Sequence, residues 1–212
     1  MKKIFLLLLA MSLSALSFSQ NANDNVLRQG ASNRKVKTEK KLNDDKAKYW
    51  TGKVPVKDGI VTFQKKITTK GVSQETLMKK AQQFAENLIE QSQKTEISQI
   101  TVADAQQGKV IASMAEEMAF KLRAWEKDVT DFFYQMTIDV QENTVLLTIN
   151  NLSYRYEAER ETGGSYLKAE DWITDSQAFN KSKTKFLKEP GKFRRATIDR
   201  VNAIFQEAEA QF

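Results

Sequence analysis

From Phe132 to Ile149, apolar and polar residues alternate in two runs separated by a short polar turn. Tyr134, Met136, Ile138 and Val140 share one phase, and Val145, Leu147 and Ile149 can face them across Gln141–Asn143. Strand side chains point to opposite faces in turn, so this period predicts an antiparallel pair with one buried face. The phase slips by one at Asn150-Asn151 and resumes as Leu152, Tyr154 and Tyr156. One extra residue is what a β-bulge needs.

The flanking segments supply more strands and two helices. Val54–Val56 and Val61–Phe63 can pair across the tight-turn signal Asp58-Gly59, and Ile60 to Ile67 reads as a half-buried strand. Ser73 is a good N-cap, with Glu75 early in the helix, where the dipole favours an anion. Leu77, Met78, Ala81, Phe84, Ala85, Leu88 and Ile89 then recur at helical spacing, predicting a helix over about Gln74 to Gln91. Ile97 to Val102 and Lys109 to Ala115 read as strands, and Met118 to Trp125 extends the second or forms a third. Gly163-Gly164 closes the strand region, and Ala169 to Thr174 reads as a helical turn carrying Trp172. Lys181 to Lys192 reads as a basic loop broken at Pro190-Gly191. A last helix is predicted from Phe193 to Ala210, with Ile198, Val201, Ile204 and Phe205 on its stripe. This order predicts an α+β fold with both helices on one sheet face.

The start of the chain has a different character. Met1-Lys2-Lys3 precedes an apolar run from Ile4 to Leu16, and Ser17 and Ser19 put small residues before Gln20. The run is shorter than the ~20 apolar residues of a spanning helix, so residues 1–19 read as a cleaved signal peptide. Cysteine is absent, which closes the lipoprotein route; a soluble exported protein, periplasmic or extracellular, is expected. Residues 20–48 are polar and carry few large apolar residues, so they read as a flexible basic tail, with a single domain over 49–212.

Charge and chemistry narrow the function. The net charge of +6 resides before residue 51, because residues 51–212 hold 23 basic and 23 acidic side chains. A nucleic-acid-binding domain carries its own basic surface, so none is expected here. With neither His nor Cys, there is no thiolate, no imidazole base and no soft metal ligand. No motif for a metal or cofactor is found, and none is expected. Ser165-x-x-Lys168 and Ser182-x-x-Lys185 match a penicillin-recognising motif, but its companion motifs are absent.

Several blocks carry a resemblance. Val54–Phe63, Tyr154–Arg160, Ala169–Asp175, Asn180–Lys185 and Gly191–Asp199 occur in the order seen in a family of exported bacterial proteins of uncharacterised function. That family is described as a domain of unknown function with a TBP-like (TATA-binding-protein-like) fold, and the resemblance covers about residues 50–210. It implies a curved antiparallel sheet with two main helices packed on one face, and a Gram-negative envelope setting. It offers no catalytic residue to carry over, and a fold name imports no DNA binding.

The expected role is a non-enzymatic binding module for an unknown protein, glycan or lipid partner in the envelope. No transmembrane segment is expected in the mature chain. Tyr154, Tyr156 and Trp172 are the candidate anchors, with Arg194 and Arg195 as anion contacts within the basic run Lys181–Arg200. The plainer alternative makes the tyrosines core residues and pairs the basic run with acids. Two other readings stay open: an envelope hydrolase using a carboxylate pair among Glu157, Glu159 and Asp171, and a structural subunit of an envelope assembly.

Overall fold

The computed structural model describes residues 44–123, 126–158 and 163–212. The segment read as a signal peptide and most of the segment read as a basic tail lie outside the described residues. The chain divides into two compact units, Met1–Trp50 and Thr51–Phe212. In the first, residues 44–49 are helical, so the end of the stretch read as tail has local structure.

In the second unit, β1 (Val56–Lys57) and β2 (Ile60–Val61) form a small hairpin. Asp58 and Gly59 turn it with φ of 51° and 81°, the left-handed pair that a tight hairpin needs. The main sheet runs β3 (Phe63–Thr68), β7 (Thr144–Tyr156), β6 (Glu126–Gln141), β5 (Lys109–Arg123), β4 (Gln99–Asp104), all antiparallel. A short strand, β8 (Ser165–Lys168), pairs the end of β7 beyond the stretch that β3 occupies.

Helix α1 (Gln74–Gln91) has the predicted bounds. Ser73 Oγ accepts the Thr76 N–H at 3.3 Å, satisfying one of the free donors of the first turn. Its apolar stripe, including Leu77, Phe84 and Leu88, is buried against β4, β5 and β6. Helix α2 (Lys188–Gln211) packs on β3, β5 and α1. Each fully buried Leu, Ile or Phe along this interface contributes about 1.5–3 kcal/mol.

Of the two readings left open for the segment after Ala115, extension holds: Lys109–Arg123 is one strand. Two local readings are corrected. Helix α2 starts at Lys188 and not at Phe193; Pro190 sits in its first turn, where the missing N–H has no helical acceptor to lose. The strand region does not end at Gly163-Gly164, because β8 follows it. The predicted slip at Asn150-Asn151 is a bulge: the β6–β7 register shifts between Phe133 and Gln135, and Asn151 has φ 54°. The bulge keeps Leu152 and Tyr154 on the core side with Val145, Leu147 and Ile149.

Candidate binding surface

The expected anchors converge on Phe193, near the start of α2. Tyr154, Tyr156 and Trp172 put their rings 5.0, 5.4 and 6.1 Å from it, all edge-on. The cluster is internal. Tyr154 is completely buried, stacks on Phe132 at 5.5 Å and shares a 2.7 Å hydrogen bond with Thr197. Burial pushes its phenol pKa up, against the Thr197 bond and with the help of Glu170.

Tyr156 is half-buried; its hydroxyl donates to Asp128 at 3.0 Å and accepts from Lys192 at 2.9 Å. Trp172 is half-buried, and its Nε1 is buried without a hydrogen-bond partner in the protein.

The two arginines also serve the fold. Arg194 is completely buried and donates to the Ile173 carbonyl and to Asp175, both at 2.7 Å. Burial lowers its pKa, and Asp175 opposes that shift. Arg195 lies 4.8 Å over the Phe186 ring. Tyr154 and Arg194 therefore cannot meet a partner at the surface, contrary to the sequence expectation. Adjacent apolar contacts with Phe132 and Phe193 make Tyr154 a core residue, and a buried guanidinium is held because both its charge and its N–H groups are matched.

The basic run divides in the same way. Lys192 pairs with Asp128 and Glu189, and Arg200 with Glu116 and Glu207. Tyr134 donates to the same Glu116 at 2.5 Å, forming a buried network between α2 and the sheet. Of the candidate carboxylates, Asp171 is exposed, Glu157 sits at φ 56° past the end of β7, and Glu159 lies outside the described residues. Among the described residues, no three acids gather as a metal cage.

The sheet face opposite the helices has a different composition. Strand registers place its residues in cross-strand rows. Tyr166, Arg155, Asp131 and Glu117 form one row, and Lys168, Ser153, Phe133 and Ala115 the next. Then come Gln135, Ser113 and Gln99 beside Asn150 and Asn151, followed by Gln64, Thr148, Thr137 and Ile111. Asp139 and Lys109 close the face with an ion pair of 2.7 Å.

Asp131 accepts from Arg155 at 2.6 Å and is paired with Lys94 at 3.2 Å. The middle is a neutral band of amides and hydroxyls. Asn151 donates to Gln135 at 3.0 Å and Gln64 to Thr148 at 3.2 Å, while the Asn150 Oδ1 is buried without a donor. A depression of about 290 Å³ is lined here by Ile97, Ser113, Ala115, Phe133, Gln135 and Asn151.

Beside it, Tyr166 stacks on Phe133 with centroids 6.4 Å apart and planes 12° apart, yet remains 71% exposed. Sequence reading missed this pair. Phe132-Phe133 did carry a signal, since adjacent aromatics in a strand face opposite ways. Tyr166 carried little, because four residues are too few to display a period.

Comparison with known proteins bears out the expected resemblance. Residues 63–155 match the family model described as a domain of unknown function (DUF4468) with TBP-like fold. The crystal structure of a DUF4468 family protein from Bacteroides ovatus is similar at 28% identity and a TM-score of 0.72, covering 79% of this chain and 94% of its own. A TBP-like protein from Parabacteroides distasonis shares the fold at 20% identity and a TM-score of 0.62, covering 74% and 96%. No curated protein matches the chain.

Proposed function

We propose that this TBP-like α+β domain is an exported, non-enzymatic binding module whose contact surface is the sheet face opposite the helices, and that it holds an uncharged glycan strand. The observation that carries the reading is the exposed Tyr166 ring, stacked on Phe133 beside a neutral band of Gln64, Gln135, Asn150, Asn151, Ser113 and Thr148. An aromatic face suits the C–H side of a sugar ring, and amide and hydroxyl groups suit its hydroxyls. The ion pairs Lys109–Asp139 and Arg155–Asp131 flank the band and leave its middle uncharged. Export rests on the basic start and apolar run of residues 1–19. Among the described residues, no helix is long and apolar enough to cross a membrane.

The test is an array of neutral glycans probed with the chain from Gln20 onward, followed by titration of the best ligand. Tyr166→Ala and Asn151→Gly are expected to weaken binding about tenfold or more while leaving the fold intact, since glycine accepts the φ of 54° at residue 151. Unchanged affinity in both variants, or no glycan bound by the parent chain, would sink the reading.

A second reading has its own observation. Among the described residues, β4 pairs only with β5, so its outer edge is open, and Val102 beside it is exposed. An open edge is a template for a strand from another chain. A co-purifying protein, lost when Val102 is replaced by Lys, would favour a subunit role.

A further inference from the structure

The basic loop before α2 is not like the rest of the charged surface. Lys192, Arg194 and Arg200 in α2 each have carboxylate partners. Among the described residues, Lys181, Lys183, Lys185 and Lys188 have none, and all four are exposed. The loop that carries the first three is built to hold its shape, and Lys188 opens α2 directly after it. Asn180 Oδ1 accepts the N–H groups of Thr184 and Lys185 at 2.8 and 3.1 Å, and its amide donates to Ser182 and Thr184. Phe179 and Phe186 bridge its base and stack at 4.6 Å. Arg194 and Arg195 then lie 5.0 and 4.8 Å over those two rings, fixing the loop to the helix.

Leu187 stands where α2 needs a capping oxygen. It makes no side-chain cap, and it is 42% exposed. The N–H groups at this helix start favour an anion. A leucine in the N-cap position neither satisfies them nor gains from water. It does gain from an apolar layer lying just below a layer of anions.

We infer that the Lys181–Lys188 finger docks the protein on an anionic phospholipid surface, with the lysines at the headgroups and Leu187 in the interface. Charge complementarity selects the anionic surface: these four exposed lysines cluster in eight residues without a carboxylate partner among the described residues. The exposed leucine selects a bilayer over a soluble polyanion.

The experiment is co-sedimentation of the chain from Gln20 onward with phosphatidylglycerol-containing vesicles and with pure phosphatidylcholine vesicles. The basic residues 20–50 are common to every variant, so differences report the loop. The parent is expected to bind the anionic vesicles alone, and less at high salt. Each lysine near such a surface is worth about fivefold, so a Lys181→Ala, Lys183→Ala, Lys185→Ala triple variant should lower partitioning about a hundredfold. Leu187→Ser should lower it about fivefold with the lysines intact. Tyr166→Ala should leave it unchanged, which separates this site from the sheet face.

Partitioning of the triple variant within twofold of the parent overturns the inference. So does equal binding to both vesicle types. Binding of heparin without binding of vesicles also overturns it, assigning the loop to a soluble polyanion.

Discussion

Lys192 Nζ lies 3.0 Å from Asp128 Oδ2 and ties the start of α2 to β6. The same ammonium sits 4.4 Å from the centroid of Tyr156 and 4.8 Å from that of Phe120, and pairs with Glu189 at 2.7 Å. Desolvation opposes its charge, but bonds to Glu189, Tyr156 and Asp128 together outweigh it and leave the pKa raised. What looks in sequence like one lysine of a basic run is thus the internal cation of an aromatic and acidic cage.

Replacing Lys192 by Met keeps the length of the side chain and removes the charge. The half-buried Asp128 then loses its partner, and the cation–π contacts are lost. The expected cost is about 2 kcal/mol, read from urea unfolding. In a double-mutant cycle with Asp128→Asn, the coupling should be about 1 kcal/mol. A coupling near zero would show that solvent screening cancels the pair.

Alkaline stability follows from the tyrosines. Burial raises the pKa of Tyr134, with Glu116 adding to the shift and Arg200 opposing it; burial also raises Tyr154 and, more weakly, Tyr156. A raised folded pKa means that the native state keeps its proton longer than the unfolded chain does. The associated stability is complete below the ordinary phenol pKa of about 10 and is lost as pH rises through the folded values. Ultraviolet titration of the native protein should therefore show Tyr134 and Tyr154 ionising only as the protein unfolds. Free ionisation of all five tyrosines near pH 10 in folded protein would contradict their placement.

Gly163 and Gly164 are expected to respond very differently to alanine. Both have positive φ, 75° and 80°, but a Cβ on Gly163 meets nothing within 4 Å, while one on Gly164 lies 2.4 Å from the Tyr156 carbonyl oxygen. Gly163→Ala should cost about 1 kcal/mol of backbone strain. Gly164→Ala adds a backbone clash of about 1–3 kcal/mol and displaces β8, so glycan binding through Tyr166 should fall with it. Thermal unfolding of the two variants, run side by side, checks the order.

Much of this fold was legible because its signals are local. The Asp58-Gly59 turn, the Ser73 cap and the stripe from Leu77 to Leu88 each depend on residues within a turn or two of one another. The slip at Asn150-Asn151 was visible for the same reason, and it even held the answer for Tyr154. A bulge there restores the phase, so Leu152 and Tyr154 had to share the face of Ile149. The candidate site was less legible. Aromatics beside charges resemble a binding surface whether they face out or in, and the two tyrosines with the most suggestive neighbours face the helices.

Sequence alone therefore determined the strand periods, the first helix, the bulge and the absence of His and Cys chemistry. Tertiary structure decided which phase of the sheet the helices would cover, and hence that Phe132 and Tyr154 are core while Phe133 and Tyr166 are not. It also decided that Ser165–Lys168 is a strand. Four residues carry no period of their own; they are extended because β3 reaches β7 only as far as Ile149, leaving the ladder from Ser153 to Tyr156 to be completed.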